Sequence, residues 1–577
     1  MRHALWVTLW VVASCARRAT PPAQTFQASV PPAAQSGFAD ADVLPAKMDG
    51  LALPPAPGDR TGELFSKRLD FRAGAPVLPI RLMEGRTEVS FSARGRMRMK
   101  LSGEVEKTVE APAGSTWTVR LVEGSPATLS ARVQLAEFPF ADKEGLAAEE
   151  RRWVEKGLLV KTHVLGSVYG ISGKVVDSRR YLLLDDAPTS RAEAVQRQAE
   201  LLRTHGVRTM LFEEVKTPPR GILELRDPSG VVVALAQDLL VAETLDGAPF
   251  DVRAVEHDVG YANHGFDDRS YRGSLELTVD RQGKLAVVNL VPMEELLKGL
   301  VPAEIFARAH PEALKAQAVT ARGEVLAKIG TKHLADPYLL CAEQHCAVYK
   351  GLLGEAVSTN AAVEATRGEG LFDASGRLVD SVYSAVCGGH TEHNDIVWGG
   401  PPNPSLRGRP DTLPGRRALS APGKLEAFLV AELPAACRLS SFAQPSKYRW
   451  ERRFTAEEVN RLTEPLGIGP VRAIAVTDRG VSGRARLVTL SGENGATQIR
   501  GELNIRRLFG MLNSAMFIVS PQLGPDGKPT AWLFRGGGWG HGVGMCQTGA
   551  IGRAEAGQDY RAILEHYFNG AQVARIY

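Results

Sequence analysis

An α+β fold spread over several domains is predicted for this chain, on three observations. Its 577 residues exceed what one hydrophobic core organises, and about three domains is the natural expectation. Residues 76–140 read as short runs of alternating polarity separated by turn residues, the pattern of antiparallel strands. Further on, stretches with helical periodicity, at 190–205 and 293–329, lie among more strand-like runs.

Hydrophobic residues make up 44% of the chain and charged residues 23%, an ordinary balance for a globular protein. The 69 basic and 65 acidic side chains nearly cancel, so there is no electrostatic case for a nucleic-acid partner. Beyond the N-terminus no apolar run has the length of a membrane-spanning helix.

Taken in order, Arg2 and His3 precede an apolar run from Ala4 to Ala13 that ends in Val12-Ala13-Ser14-Cys15. A short basic segment, an apolar segment too brief to span a bilayer, and small residues before the cleavage point make a signal peptide over residues 1–15. V-A-S-C resembles a bacterial lipobox, which implies lipidation of Cys15 and an exported, lipid-anchored location in the cell envelope; an ordinary secretory peptide is the alternative. Arg17, two places after Cys15, is not an inner-membrane retention signal in a host with two membranes. Residues 16–60, rich in Ala, Pro, Gln and Ser, read as a disordered tether.

Residues 75–145 form the expected β-rich unit, through TEVSFSA, RMRMKLSG, STWTVRLVEG and ATLSARVQLAEF, with nothing catalytic in it. Residues 153–235 are a small α/β unit. Strand-like runs at 161–168 and 180–184 lead into a helix at 190–205 whose stripe is Ala192, Val195, Ala199 and Leu202, then to Gly206 and a strand at 208–212. This order resembles the SPOR-type repeat, which binds bare peptidoglycan strands; a generic α/β spacer has the same pattern. Residues 265–577 form the last unit, which opens on a hairpin, GSLELTVD and KLAVVNLV.

That hairpin runs into VPMEELLKGLVPAEIFARAHPEALKAQAVTARGEVL. Met293, Leu296, Leu297 and Leu300 make one apolar helix face, Pro302 is expected to reopen the backbone, and Glu304 follows in the turn. Pro311 suits the first position of a second helix, which buries Leu314, Ala318, Ala321 and Val325 and stops at Gly330. Taken locally, an acid after proline near a helix start need only complement the helix dipole.

The blocks around this stretch resemble the SpoIID/LytB family from about residue 270 to the end. They are Tyr271-Arg-Gly, Asn289-Leu-Val-Pro-Met-Glu-Glu-Leu-Leu-Lys-Gly, Val301-Pro-Ala-Glu304, Glu312-Ala-Leu-Lys-Ala-Gln-Ala-Val-Thr-Ala-Arg322 and Val348-Tyr-Lys-Gly. Then come Cys387-Gly-Gly-His-Thr-Glu392, Trp398-Gly, Gly540-His-Gly-Val-Gly-Met-Cys-Gln-Thr-Gly-Ala550 and Tyr560-Arg-Ala-Ile-Leu-Glu-His-Tyr567. The resemblance implies a SpoIID-type α+β catalytic domain that cleaves glycan strands by lytic transglycosylation, with Glu304 as the catalyst and no cofactor required. It also implies a substrate-binding set of Lys315, Gln317, Arg322, Tyr383, His390, Thr391, Glu392, Trp398, Trp539, His541 and Gln547. Peptidoglycan glycan strands are the implied partner, together with a cell-wall amidase, because the LytB side of the family carries the description of amidase enhancer. One acid suffices where the sugar's own C6 hydroxyl attacks, whereas hydrolytic glycosidases use two carboxyls. Leu300, Val301, Ile305 and Phe306 are the expected apolar wall that raises the Glu304 pKa.

The glycine-rich block at 536–545 departs from a dinucleotide-binding loop, since Met545 stands where the third glycine of G-x-G-x-x-G belongs. Its glycines are expected to let a sugar chain approach Trp539 and His541; a tight turn is the alternative. His333, Cys341, His345 and Cys346 are candidate ligands of a structural zinc. A Cys346–Cys387 disulfide is the rival in an exported chain. Residues 401–446 read as an insertion or long loop.

Overall fold

The computed structural model describes residues 60–65, 69–171, 174–205, 207, 209–259, 264–343, 345–413 and 425–577. The predicted signal peptide, Cys15 and nearly all of the predicted tether lie outside them. Among the described residues no helix is long and apolar enough to cross a membrane.

Strands predicted from alternation are present at Glu88–Ala93, Met97–Leu101, Thr116–Ser125 and Thr128–Pro139. Met97–Leu101 shows the reason, with Met97, Met99 and Leu101 buried and Arg98 and Lys100 at the surface between them. These strands do not form a unit of their own, however. Ala75–Arg86 pairs antiparallel with Leu285–Pro292, with Asn289 opposite Ile80, and Met97–Leu101 pairs with Leu239–Thr244. The eight-stranded sheet so formed also holds Ser274–Val279, and a six-stranded sheet joins Glu88–Ala93 and Thr116–Ser125 to Arg220–Arg226 and Phe250–His257. The boundaries expected at 145 and 265 therefore cut through shared sheets, and one hydrophobic cluster runs from Leu78 to Ile576.

The α/β unit has shifted limits. Thr128–Pro139, helix α1 (Lys143–Glu155), Val160–Leu165, Arg180–Asp185, helix α2 (Arg191–His205) and Met210–Thr217 run as β-α-β-β-α-β, with a separate hairpin of Val168–Ile171 and Lys174–Asp177 between the second and third strands. The four strands are ordered fourth, first, third, second in one antiparallel sheet. Helix α2 buries Ala194 and Leu201, while Val195 and Leu202 are exposed, so the predicted stripe is one residue out of phase. Gln198 occupies the middle of the true stripe and bonds the Thr209 carbonyl, which hides the stripe from a reading of apolar residues alone. The far face of this sheet, Leu165, Leu182, Leu184 and Phe212, packs on Leu334 of the last unit.

The predicted hairpin is present and delivers the chain into α3 (Met293–Glu304). This helix continues through Pro302, contrary to the expected opening of the backbone. Proline there removes one hydrogen bond in the last turn, and the complete burial of Leu296, Leu297, Leu300 and Val301 outweighs that loss. Glu304 is thus the last residue of a helix and not the start of one. Helix α4 (Pro311–Lys328) has Pro311 at its first turn, and His310 Nδ1 accepts from the Glu312 N–H.

Helices α5 (Val357–Ala365) and α6 (Asn394–Trp398) follow. Among the described residues, the segment predicted as a loop is mostly irregular, with short helices at Leu425–Val430, Ala436–Leu439 and Pro445–Tyr448. A second core, built on Trp450, Phe509, Trp532 and Phe534, lies among the strands between Arg449 and Gly537 and helices α7 (Ala456–Thr463) and α8 (Glu502–Leu508). Helices α9 (Gln547–Glu555) and α10 (Tyr560–Tyr567) return to the first core.

Candidate active site

Helix α4 organises the site. Gln317, Glu324 and Lys328 fall seven and eleven residues apart, so at about 100° per residue they share one face. Glu304 stands opposite that face. Gln547, at the first position of α9, donates its side-chain amide to the Glu304 carbonyl at 2.8 Å and to Gln317 Oε1 at 3.2 Å. The end of α3 is therefore tied to both α4 and α9.

Burial pushes the Glu304 carboxyl up to about 7, and the negative charge of Glu324 adds to the effect; Lys328 and the backbone N–H of Val348 oppose it. The C-terminal end of a helix is itself unfavourable for a carboxylate, because the last carbonyls gather there. The predicted wall is present in Leu300, Val301 and Ile305, all buried, whereas Phe306 is exposed and stacks on Phe442. Lys328 pairs with Glu324 at 2.8 Å and donates to the Cys346 carbonyl at 2.6 Å. Burial also raises the Glu324 carboxyl, against the pull of Lys328, and Tyr383 donates its hydroxyl to it. Glu324 and Lys328 were not among the predicted site residues. The signal was present in their spacing from Gln317 on one helical face.

Tyr383 belongs to a two-residue strand that pairs in parallel with Met545–Cys546, and this pairing brings the glycine-rich loop to the cleft. His541 Nδ1 accepts the Val543 N–H at 3.0 Å, which leaves Nε2 as the donor. Burial, with help from Arg484, lowers the His541 pKa to about 3, so the ring is neutral, and it shares a hydrogen bond with the Tyr383 backbone. Trp398 lies over it with ring centroids 5.1 Å apart and is half open to solvent. Trp539 is also exposed and carries the Lys447 ammonium 5.1 Å from its ring. The glycines between these side chains meet protein and not open space. A Cβ at Gly542 would lie 2.2 Å from the Arg484 guanidinium, and one at Gly544 would lie 2.1 Å from the Val382 carbonyl oxygen, both at positive φ. At these positions glycine serves the tight backbone path, against the expectation that it clears space for a sugar.

Five of the predicted binding residues lie elsewhere. Lys315 is nine residues from Glu324, half a turn round α4, and it pairs with Glu312 at 2.7 Å. Arg322 is wholly buried and holds both Glu294 oxygens, at 3.1 and 2.7 Å, and the Glu369 carbonyl. His390 and Thr391 are buried and bonded to the Thr391 and Arg409 backbone. Glu392, with no exposed surface, accepts the N–H groups of His393, Val481 and Ser482 and the Ser482 hydroxyl. Arg322, His390, Thr391 and Glu392 form a buried pedestal, in which the charged groups are bonded because they are sealed from water.

His333, Cys341, His345 and Cys346 do converge, with all four donor atoms within 4.8 Å of one another. His333 Nε2 is 3.2 Å from Cys346 Sγ, and His345 Nδ1 is 3.7 and 3.5 Å from the two sulfurs. Asp336 fixes the other nitrogen of His333 at 2.9 Å, the carboxylate–imidazole arrangement that orients metal ligands. The donor set fits tetrahedral zinc. The rival Cys346–Cys387 disulfide does not form. Cys346 faces Cys341 at 3.1 Å, and Cys387 faces Cys437 in a different part of the core.

A family model described as stage II sporulation protein matches residues 281–372, the span that holds Glu304, Glu324, Lys328 and the His–Cys cluster. Over that span the chain is similar to the SpoIID/LytB family. A model described as a domain of unknown function (DUF8618) matches residues 392–544. The chain is 28% identical over 343 residues to an uncharacterised protein of Brachyspira hyodysenteriae, covering 59% of this chain and 78% of that one. It is 27% identical over 298 residues to the amidase enhancer of Bacillus subtilis, covering 48% of this chain and 39% of the enhancer. Stage II sporulation protein D of the same organism is 25% identical over 314 residues, 52% of this chain and 79% of that protein. These likenesses support a SpoIID/LytB assignment and a cell-wall-related function.

Proposed function

We propose that the chain is a peptidoglycan lytic transglycosylase that cleaves peptide-stripped glycan strands, with Glu304 acting first as acid and then as base. The observation that carries this reading is the Glu304 carboxyl, raised to about 7 at the end of α3. A carboxyl poised there is half protonated near neutral pH and serves both roles.

In the first step Glu304 gives its proton to the glycosidic oxygen as the bond from C1 of the muramyl sugar to that oxygen breaks. The resulting carboxylate is steadied by Lys328, and the positive charge developing at C1 faces two carboxylates, Glu304 and Glu324. The C6 hydroxyl of the same sugar then attacks C1 and returns its proton to Glu304. The products are a 1,6-anhydro-muramyl end and a free hydroxyl on the departing sugar, and no water is consumed. Glu324 is bound by Lys328 and Tyr383, which suits it to shaping the field and not to activating water. The exposed faces of Trp398 and Trp539 suit sugar ring faces.

The likeness to an amidase enhancer favours a second reading, a glycan-gripping protein that stimulates a cell-wall amidase. Binding alone has no use for a carboxyl raised toward neutrality, which weighs for catalysis. In either reading the protein works outside the cytoplasm, lipid-anchored through Cys15. The His–Cys cluster would hold a structural zinc beside α4.

Purified sacculi digested with the full chain, with and without prior amidase treatment, test the proposal by mass spectrometry. The expected products are 1,6-anhydro ends, more abundant after amidase. Reducing ends would indicate a hydrolase, and no product together with a faster amidase would indicate the enhancer.

A further inference from the structure

A second group of metal-ligating side chains lies in the core, apart from both the cleft and the His–Cys cluster. Cys387, Asp411, Cys437 and Cys546 come from four separate segments and are all essentially without exposed surface. Their donor atoms lie within 4.8 Å of one another. Cys387 Sγ is 3.6 Å from Cys437 Sγ and 3.2 Å from Asp411 Oδ2. A tetrahedral zinc with bonds of about 2.3 Å to sulfur and 2.0 Å to oxygen needs sulfurs about 3.8 Å apart and sulfur to oxygen about 3.5 Å. Small adjustments bring the group to that geometry.

Neighbouring groups fix the positions of two of the sulfurs and of the carboxylate. Cys546 Sγ accepts two backbone N–H groups, from Cys387 at 3.1 Å and Gly549 at 3.3 Å, and Cys387 Sγ accepts that of Gly389 at 3.4 Å. Asp411 has its two oxygens divided. Oδ1 takes Arg553 at 3.0 Å and the Tyr567 hydroxyl at 2.8 Å, while Oδ2 faces the sulfurs. Such a partner on the outer oxygen of a ligating carboxylate orients it and offsets its charge. Two more guanidiniums border the group, with Arg449 on the Gly388 carbonyl at 2.9 Å and Arg484 on the Cys387 carbonyl at 3.1 Å. Three thiolates and one carboxylate around a divalent ion leave a net charge of about −2, which three arginines can balance.

The geometry points to a second, buried zinc site formed by Cys387, Asp411, Cys437 and Cys546. Its place gives it a structural task. It joins Asp411 and Cys437 to Cys546, the residue before Gln547, the side chain that holds the Glu304 carbonyl. Filling it deprotonates three thiols and releases those protons, with no change of oxidation state.

The full chain, loaded with zinc alone and freed of excess, tests this by elemental analysis. Two zinc ions per chain are expected, and a Cys341→Ser/Cys346→Ser variant should keep one. X-ray absorption on the wild type needs no variant to fold and should average about 2.5 sulfurs per zinc, against about 2 for the first cluster alone. Cobalt bound to that double variant should give intense thiolate charge-transfer absorption. The site is refuted if the folded double variant binds no metal, if the wild type averages two sulfurs, or if intact-mass mapping of the zinc-loaded chain finds Cys387 and Cys437 joined as a disulfide.

Discussion

Gln547 reaches across the cleft to the backbone carbonyl of Glu304 at 2.8 Å, so the last residue of α3 is fixed by the first residue of α9. The contact explains why a glycine-rich loop far along the chain bears on one carboxyl. It leaves the carboxyl itself unbonded by Gln547 and sets only its position. Gln547→Ala should lower turnover about tenfold while reducing stability by only about 2 kcal/mol, because two neutral hydrogen bonds are lost but the orientation of the acid depends on them. Single-turnover cleavage of amidase-stripped glycan, alongside urea unfolding, separates the two effects. Loss of stability without loss of rate would count against the positioning role.

Glu304→Gln should abolish cleavage, by a factor of 10² to 10⁴ for loss of a general acid–base group, roughly, and should make the fold more resistant to denaturation at high pH. The sign follows from the raised value. A carboxyl at about 7 when folded and near 4.5 when unfolded contributes stability below pH 4.5, and this is lost as pH climbs through 7. Glutamine carries no such loss. At pH 8 the variant should be more stable by about 1 to 3 kcal/mol, and at pH 4 the two proteins should match. Equal denaturation midpoints at pH 8 would show that the carboxyl is not raised.

The same proton sets the pH profile. Only protonated Glu304 can begin the reaction, so kcat/KM should fall above about pH 7. Glu324 faces Glu304, as do Lys328 and Tyr383. Glu324→Gln removes the like charge and leaves Lys328 to act on Glu304 alone. The falling limb should move to lower pH. A limb that stays in place would mean that Glu324 does not share the field of Glu304.

Glu304 was legible in the sequence because the V-P-A-E block lies among many others in one order. Its partners were not, because α4 was read for its apolar stripe, and that stripe is uninformative in a helix buried nearly all round. A reading of polar residues by angle would have placed Glu324 and Lys328 beside Gln317, and Lys315 and Arg322 on the other side. Strands were found wherever polarity alternates, but pairing is not local. Nothing within 75–86 announces that it lies beside 285–292, and so a shared sheet was read as a separate unit. The His–Cys cluster was visible because its ligands fall between 333 and 346. The second cysteine group was not, since its members lie 50 and 159 residues apart along the chain.

Arg322 gives the sharpest test of the pedestal. A residue that binds glycan would, when replaced, raise KM and leave the fold intact. A buried partner of Glu294 behaves in the opposite way. Its guanidinium is held at 3.1 and 2.7 Å by both carboxylate oxygens, and Glu294 also takes the Gly368 N–H at 3.1 Å and the Tyr577 hydroxyl at 2.5 Å. Arg322→Met strands that carboxylate in the core, and breaking a buried pair in this way costs about 3 to 5 kcal/mol. Changing Glu294 to Gln in the same chain removes the stranded charge and should restore part of the loss, a coupling that a double-mutant cycle measures directly. Any Arg322→Met protein that folds should bind glycan as the wild type does, because the side chain lies on the face of α4 turned away from Gln317 and Glu324. A raised KM with unchanged stability would return Arg322 to the cleft.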